Sequence, residues 1–247
     1  MKLSRLSLAC LTALLATGTA SFAQPPAATA APATTTAPAD AKTRADAKLQ
    51  EDSAKWAAKL SLNDAAKESR IATLITAHRI AVRDWHNDHP ASTVPEGINP
   101  LTGKPLSKLD REIIADSAMP KSVNETLLNG LRADLTPAQV DAILDEYTIG
   151  KVAFTLKGYK AIVPDLTAEE EKTITDFLKQ ARIESIGFKS MTQISAIFEI
   201  YKTKSEQYLN SNGRSWKALY KTYTDGVKAQ KAADAAAKKN NPPNGAK

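Results

Sequence analysis

One cysteine, Cys10, in 247 residues excludes an internal disulfide framework and any CxxC or cysteine-rich metal cluster. Histidine is almost as scarce: the three in the chain, His78, His86 and His89, fall within twelve residues of one another. No HExxH motif and no second histidine cluster exist to complete a metal centre, and no GxSxG or other nucleophile motif is visible. The one glycine pair that suggests a phosphate loop, Gly97 and Gly103 ahead of Lys104, is separated by one residue too many and is followed by Pro105 where a Ser or Thr would hold magnesium. No cofactor is therefore expected and no metal is assigned. Runs of Val, Ile and Thr alternating with polar residues are also missing, which argues against strands.

An excess of one charge is lacking where it would matter. The formal net charge is +6, but residues 1–23 carry +2, residues 24–52 carry −1 and residues 225–247 carry +3. Residues 53–224 hold 23 basic and 21 acidic side chains. A globule with interspersed signs is not the electrostatic footprint of a nucleic-acid binder, so no nucleic-acid partner is expected.

At the N-terminus, Lys2 and Arg5 precede an apolar stretch from Leu6 to Leu15, and Ser21-Phe22-Ala23 offers the small residues that suit signal peptidase. Residues 1–23 read as a secretory signal peptide, and the protein is expected to be exported, to the periplasm or outside the cell. That apolar core is shorter than the about 20 residues of a membrane span, and no later stretch approaches this length, so no membrane span is expected. Leu8-Ala9-Cys10 loosely resembles a lipidation site, but cleavage there would leave only a stub of apolar residues before it. Residues 24–52 begin with a Pro/Ala/Thr-rich stretch without large apolar side chains and read as a linker. Residues 225–247 begin as a plausible Ala/Lys helix extension and end in Asn, Pro and Gly, a tail that is disordered at its end. One folded domain is expected over residues 53–224.

Within it, apolar residues recur at intervals of three and four, which predicts an all-α domain. Asn63 is a natural N-cap for a helix through Ile71, Leu74, Ile75, His78, Val82 and Trp85 to about His89, where Pro90 ends it. The stretch from Pro90 to Leu106, rich in Pro and Gly, predicts a long irregular loop, and such loops in compact domains are more often functional than not. Thr136-Pro137-Ala138-Gln139 and Thr167-Ala168-Glu169-Glu170 both carry helix-start chemistry, the first with Pro at the first helical position. Glu169, Glu170 and Glu171 suit a helix N-terminus better than an acid–base pair. Gly187 predicts a break between two long helices, and Asn212-Gly213 a C-cap. A last amphipathic stretch holds Trp216, Leu219, Tyr220 and Tyr223. Long helices joined by short turns pack as an antiparallel bundle.

The histidines carry the most chemistry. At about 100° per residue, with His78 at zero, His89 falls near about 20° and His86 near about 80°, on the same face as the apolar stripe. Three readings are open: structural histidines lining the helix end, polar groups contacting a ligand, or a partial metal site built on His86 and His89 at i, i+3. For the second there is a physical rationale, because sugars are recognised by fixed hydrogen-bond donors beside an aromatic face. Trp85 with His86, His89, Arg83 and the Pro-rich loop beyond would offer both. All six tyrosines lie after residue 146, and their helical spacing reads first as core and rim, then as a sugar platform.

The stretches from Leu135 to Ile186 and from Ile200 to Gly213, together with LNDAAKESRIATLI and DWHNDH, resemble an exported bacterial family called domain of unknown function 3826. The resemblance covers about residues 57–223. Members tend to be described as sugar-binding proteins and often accompany polysaccharide degradation, especially of pectin, so the resemblance implies a carbohydrate or oligosaccharide ligand. It also implies that His86 belongs to the family's first motif and that Arg182, Lys202 and Tyr208 belong to its C-terminal motifs. Leu135-Thr136-Pro137-Ala138-Gln139 is locally similar to the LTxxQ element of small periplasmic stress chaperones, although capping alone explains it. The resulting expectation is an exported helical protein that binds or helps process polysaccharide fragments. The alternatives are an enzyme acting on the same glycans, hydrolase or lyase, and a chaperone-like envelope protein.

Overall fold

The computed structural model describes residues 38–100 and 102–240. The signal-peptide segment, most of the Pro/Ala/Thr stretch and the end of the tail lie outside the described residues. Among the described residues the regular structure is α-helical apart from one 3-10 turn, Ala91–Thr93, and an isolated bridge between Ile98 and Pro105. The helices are α1 (Pro38–Ala58), α2 (Ala65–Asp88), α3 (Lys108–Ser117), α4 (Lys121–Asp134), α5 (Pro137–Thr148), α6 (Lys151–Ile162), α7 (Ala168–Ser185), α8 (Met191–Ser211) and α9 (Trp216–Asn240). The fold is all-α, and among the described residues no helix is long and apolar enough to cross a membrane.

Local chemistry sets most boundaries. Thr136 and Thr167 close capping boxes with Gln139 and Glu170, and Ser107 and Ser190 do the same with Asp110 and Gln193. Gly187 follows the end of α7, and Gly213 at φ 82° ends the turn after α8. The N-cap of α2 is Asp64 rather than Asn63: the Asp64 carboxylate accepts from Lys67 N at 2.9 Å, while Asn63 adopts φ 54°, a left-handed conformation that Asn tolerates. The loop between α2 and α3 is ordered by hydrogen bonds from Leu106 N to Gly97 O and from Asn99 N to Lys104 O, both 2.8 Å.

The expected domain bounds, 53 and 224, fall inside helices. α1 begins at Pro38, within the stretch read as a linker, because α2 anchors it with charge: Lys42 pairs with Asp84 at 3.0 Å, Arg83 with Asp46 at 2.5 Å, and Arg79 donates to Leu49 O at 3.3 Å. α9 continues to Asn240, through the Ala/Lys stretch that reads as a helix extension at the start of the tail.

Two apolar clusters form the interior. The first joins α1, α2, α4 and α5 through Ile71, Ile75, Leu127, Leu131 and Ile143, with Ile186 closing it. The second joins α6, α7 and α8 through Val163, Ile174, Leu178, Phe198 and Leu209, with Trp216 of α9 against it. Between them run polar contacts. Arg182, 2 % exposed, reaches from α7 to α5 and donates to Asp145 Oδ1 at 2.8 Å and to Asp141.

Candidate functional site

The last turn of α2 carries His86 into the interior, where its residue is 3 % exposed. α3 meets it with Asp116, whose Oδ1 sits against His86 Nδ1. The other carboxylate oxygen accepts from Gln193 Nε2 at 2.5 Å. Gln193 stands in the first turn of α8, and its Oε1 accepts from Ser190 N at 3.2 Å and Ser190 Oγ at 3.0 Å. A carboxylate so placed orients the imidazole: Nδ1 presents its proton to Asp116, and Nε2 becomes the polar atom left to be paired. Nε2 is buried and has no hydrogen-bond partner among the described residues. His86 lines a cavity of about 310 Å³ with His89, Ser92, Lys108, Glu112 and Lys189.

The three histidines do not converge. His78, also buried, bridges Tyr147 through Nδ1 and Asn124 through Nε2, each at 3.0 Å. Burial holds its pKa below the ordinary histidine value, against the pull of the Asn124 contact. His89 Nδ1 donates to Trp85 O at 2.9 Å, and its ring stacks on Trp85 at 3.6 Å between centroids. One face of the Trp85 indole is thereby covered, and its Nε1 donates to Ala115 O at 3.3 Å. No group of three or more His, Cys, Asp or Glu able to hold a metal exists among the described residues.

The remaining residues singled out in the sequence are dispersed. Arg83 is bound to Asp46 and Asp84 at the α1–α2 seam. Arg182 clamps α7 to α5. Tyr208 meets Phe177 edge-on at 6.3 Å. Lys202 pairs with Glu199 at 2.8 Å and lines a separate groove between α6, α8 and α9.

That groove, about 690 Å³, is where aromatic surface accumulates. Its walls carry Phe154, Tyr159, Phe198, Trp216, Tyr220 and Tyr223. Phe154 is 77 % exposed and Tyr220 50 %. Trp216 lies near-parallel to Tyr220 at 6.0 Å and beside Tyr159 at 5.2 Å. Tyr159 is fixed by donating to Lys202 O at 3.0 Å. Glu199, Lys202 and Glu206 supply the polar rim. Burial raises the Glu206 carboxyl above its usual range and the Glu199 charge adds to this, while Lys202 opposes it.

Two sets of residues escaped sequence reasoning. Asp116 and Gln193 lie 30 and 107 positions from His86, and although Ser190 and Gln193 carry capping-box spacing, nothing local ties either residue to His86. The aromatic groove left a trace: Trp216, Tyr220 and Tyr223 stand at i, i+4 and i+7, one helix face. Without a partner helix in view, that face reads equally as core.

Comparison with curated proteins finds no match. The model of a family described as Protein of unknown function (DUF3826) matches residues 46–229, nearly the whole helical region, and the chain belongs to that family.

Proposed function

We propose that the protein is an exported oligosaccharide-binding protein, and that the groove between α6, α8 and α9 takes the ligand. The observation that carries this reading is a row of aromatic rings beside charged side chains in one open groove: exposed Phe154, Tyr220 and Tyr223 with half-buried Trp216, against Glu199, Lys202 and Glu206. Pyranose rings present C–H faces that stack on aromatic rings and equatorial hydroxyls that pair with carboxylates and ammonium groups. The volume suits a fragment of a few sugar units. The signal-peptide pattern of residues 1–23 supports export, and polysaccharide fragments, pectic ones included, are the substrate class to test first.

The test is calorimetry and tryptophan fluorescence with a panel of pectic, xylan and glucan oligosaccharides. Saturable binding is expected, with Trp216→Ala weakening it by about tenfold or more. No binding by folded protein across the panel overturns the reading. Suppression of client aggregation without any sugar effect would instead assign the groove to protein clients.

A second reading rests on Glu206. A carboxyl raised above its usual range by burial, with a second carboxyl, Glu199, seven residues earlier on the same helix, resembles the pairing that glycan-cleaving enzymes use as acid and base. Their Cα atoms lie about 10 Å apart along the axis of α8. New reducing ends or unsaturated products from polymer incubated with wild type, and none with Glu206→Gln, would identify catalysis.

A further inference from the structure

The cavity at His86 is separate from the aromatic groove, and its construction is costly. A buried carboxylate, imidazole and carboxamide stand together where apolar residues of similar size would stabilise the bundle at least as well. The network satisfies both oxygens of Asp116 and the Nδ1 of His86 but leaves buried Nε2 without a partner. A buried polar atom left unpaired is destabilising unless something outside the chain pairs with it. With Nδ1 bound to the carboxylate, Nε2 of the neutral ring is an acceptor, so the missing partner is an O–H or N–H donor.

The rest of the cavity narrows the class. Its size is at the low end for ligand pockets, room for one ring or a short chain. Of its two lysines, Lys108 faces Glu112 at 3.7 Å, whereas Lys189 forms no ion pair or hydrogen bond among the described residues. Lys189 also immediately precedes Ser190, the N-cap of the 21-residue helix α8, so the positive end of that helix adds to its charge. An acceptor and an unpaired cation on one small cavity complement a ligand with a hydroxyl and a carboxylate.

We infer that this cavity binds a monosaccharide-sized hydroxycarboxylate, its hydroxyl donating to His86 Nε2 and its carboxylate pairing with Lys189. With three histidines in the chain, side-chain nitrogen NMR reads the site directly. D-gluconate, D-glucuronate and L-lactate are titrated into the full helical protein, with acetate and sorbitol as controls that carry only one of the two groups. At least one hydroxy acid is expected to move the His86 Nε2 resonance saturably while the His78 signals stay fixed. Lys189→Ala, a change at an exposed side chain, should raise the dissociation constant roughly tenfold, the loss expected for one charge-assisted contact. Trp216→Ala should leave this binding unchanged, which keeps it distinct from oligosaccharide capture in the groove. The inference is overturned if no hydroxy acid shifts His86 Nε2 in folded protein, if acetate or sorbitol binds as tightly, or if Lys189→Ala binds like wild type.

Discussion

His78 is held in its neutral form by the fold. The two 3.0 Å contacts are satisfied together when Nε2–H donates to Asn124 Oδ1 and the Tyr147 hydroxyl donates to Nδ1. Burial depresses its pKa in the folded state, so the unfolded chain takes up this proton first as pH falls. The stability His78 contributes is therefore full above the unfolded value of about 6.5 and is lost as pH drops from there toward the folded value. Chemical denaturation between pH 7.5 and 5.5 should show wild-type stability falling, with a slope approaching about 1.4 kcal/mol per pH unit for this one group. His78→Gln should cost about 1–3 kcal/mol at pH 7.5 and flatten the profile. Parallel profiles for the two proteins would show that His78 does not titrate with unfolding. That His78 and His86 share the apolar face of α2 was legible from helical spacing. Their partners were not: Asn124, Tyr147, Asp116 and Gln193 come from four other helices, and side-chain pairing across helices leaves no local periodicity.

Single elements divide by whether their causes are local. The capping boxes of α5 and α7 were legible because four consecutive residues contain the whole device. α1 was not: its residues 38–52 lack an apolar stripe, and its ties are ion pairs to residues about 40 positions away in α2. The turn between α5 and α6 shows a third case, local strain that the sequence tolerates. Ile149 adopts φ 51° and ψ 48°, a region that β-branched residues avoid, and its side chain is 72 % exposed. The following Gly150 takes φ 63° without penalty. Replacing Ile149 removes strain and almost no packing, so Ile149→Asn should stabilise the protein by about 1 kcal/mol in thermal or denaturant unfolding. A loss of stability would mean that the exposed isoleucine makes contacts worth more than its backbone strain.

At the scale of the whole molecule, two apolar clusters share few apolar side chains, and polar groups span the seam. Arg182 carries much of that junction, since α7 belongs to the second cluster and both its acidic partners, Asp141 and Asp145, stand on α5 of the first. The guanidinium is nearly fully buried, and the carboxylates are each more than a third exposed, so truncating the arginine strands no charge deeply but removes the tie itself. Arg182→Ala should cost about 1.5–3 kcal/mol, the loss of charge-assisted hydrogen bonds. It should also loosen the coupling of the halves, leaving as ties the Lys179–Asp141 pair at 2.8 Å, the His86–Asp116–Gln193 chain and the apolar contact through Ile186, Ile183 and Phe188. The tryptophans supply the readout: Trp56 packs on Tyr147 in the first half and Trp216 on Tyr159 in the second. In proteins carrying one of these as the sole tryptophan, the two unfolding transitions should coincide in the parent and separate once Arg182 is replaced. Coincident transitions in the Arg182→Ala background would instead show that these remaining ties suffice to couple the clusters. The aromatic groove would then rest on a half that does not unfold ahead of the rest, and oligosaccharide binding would protect the two halves equally rather than the second alone.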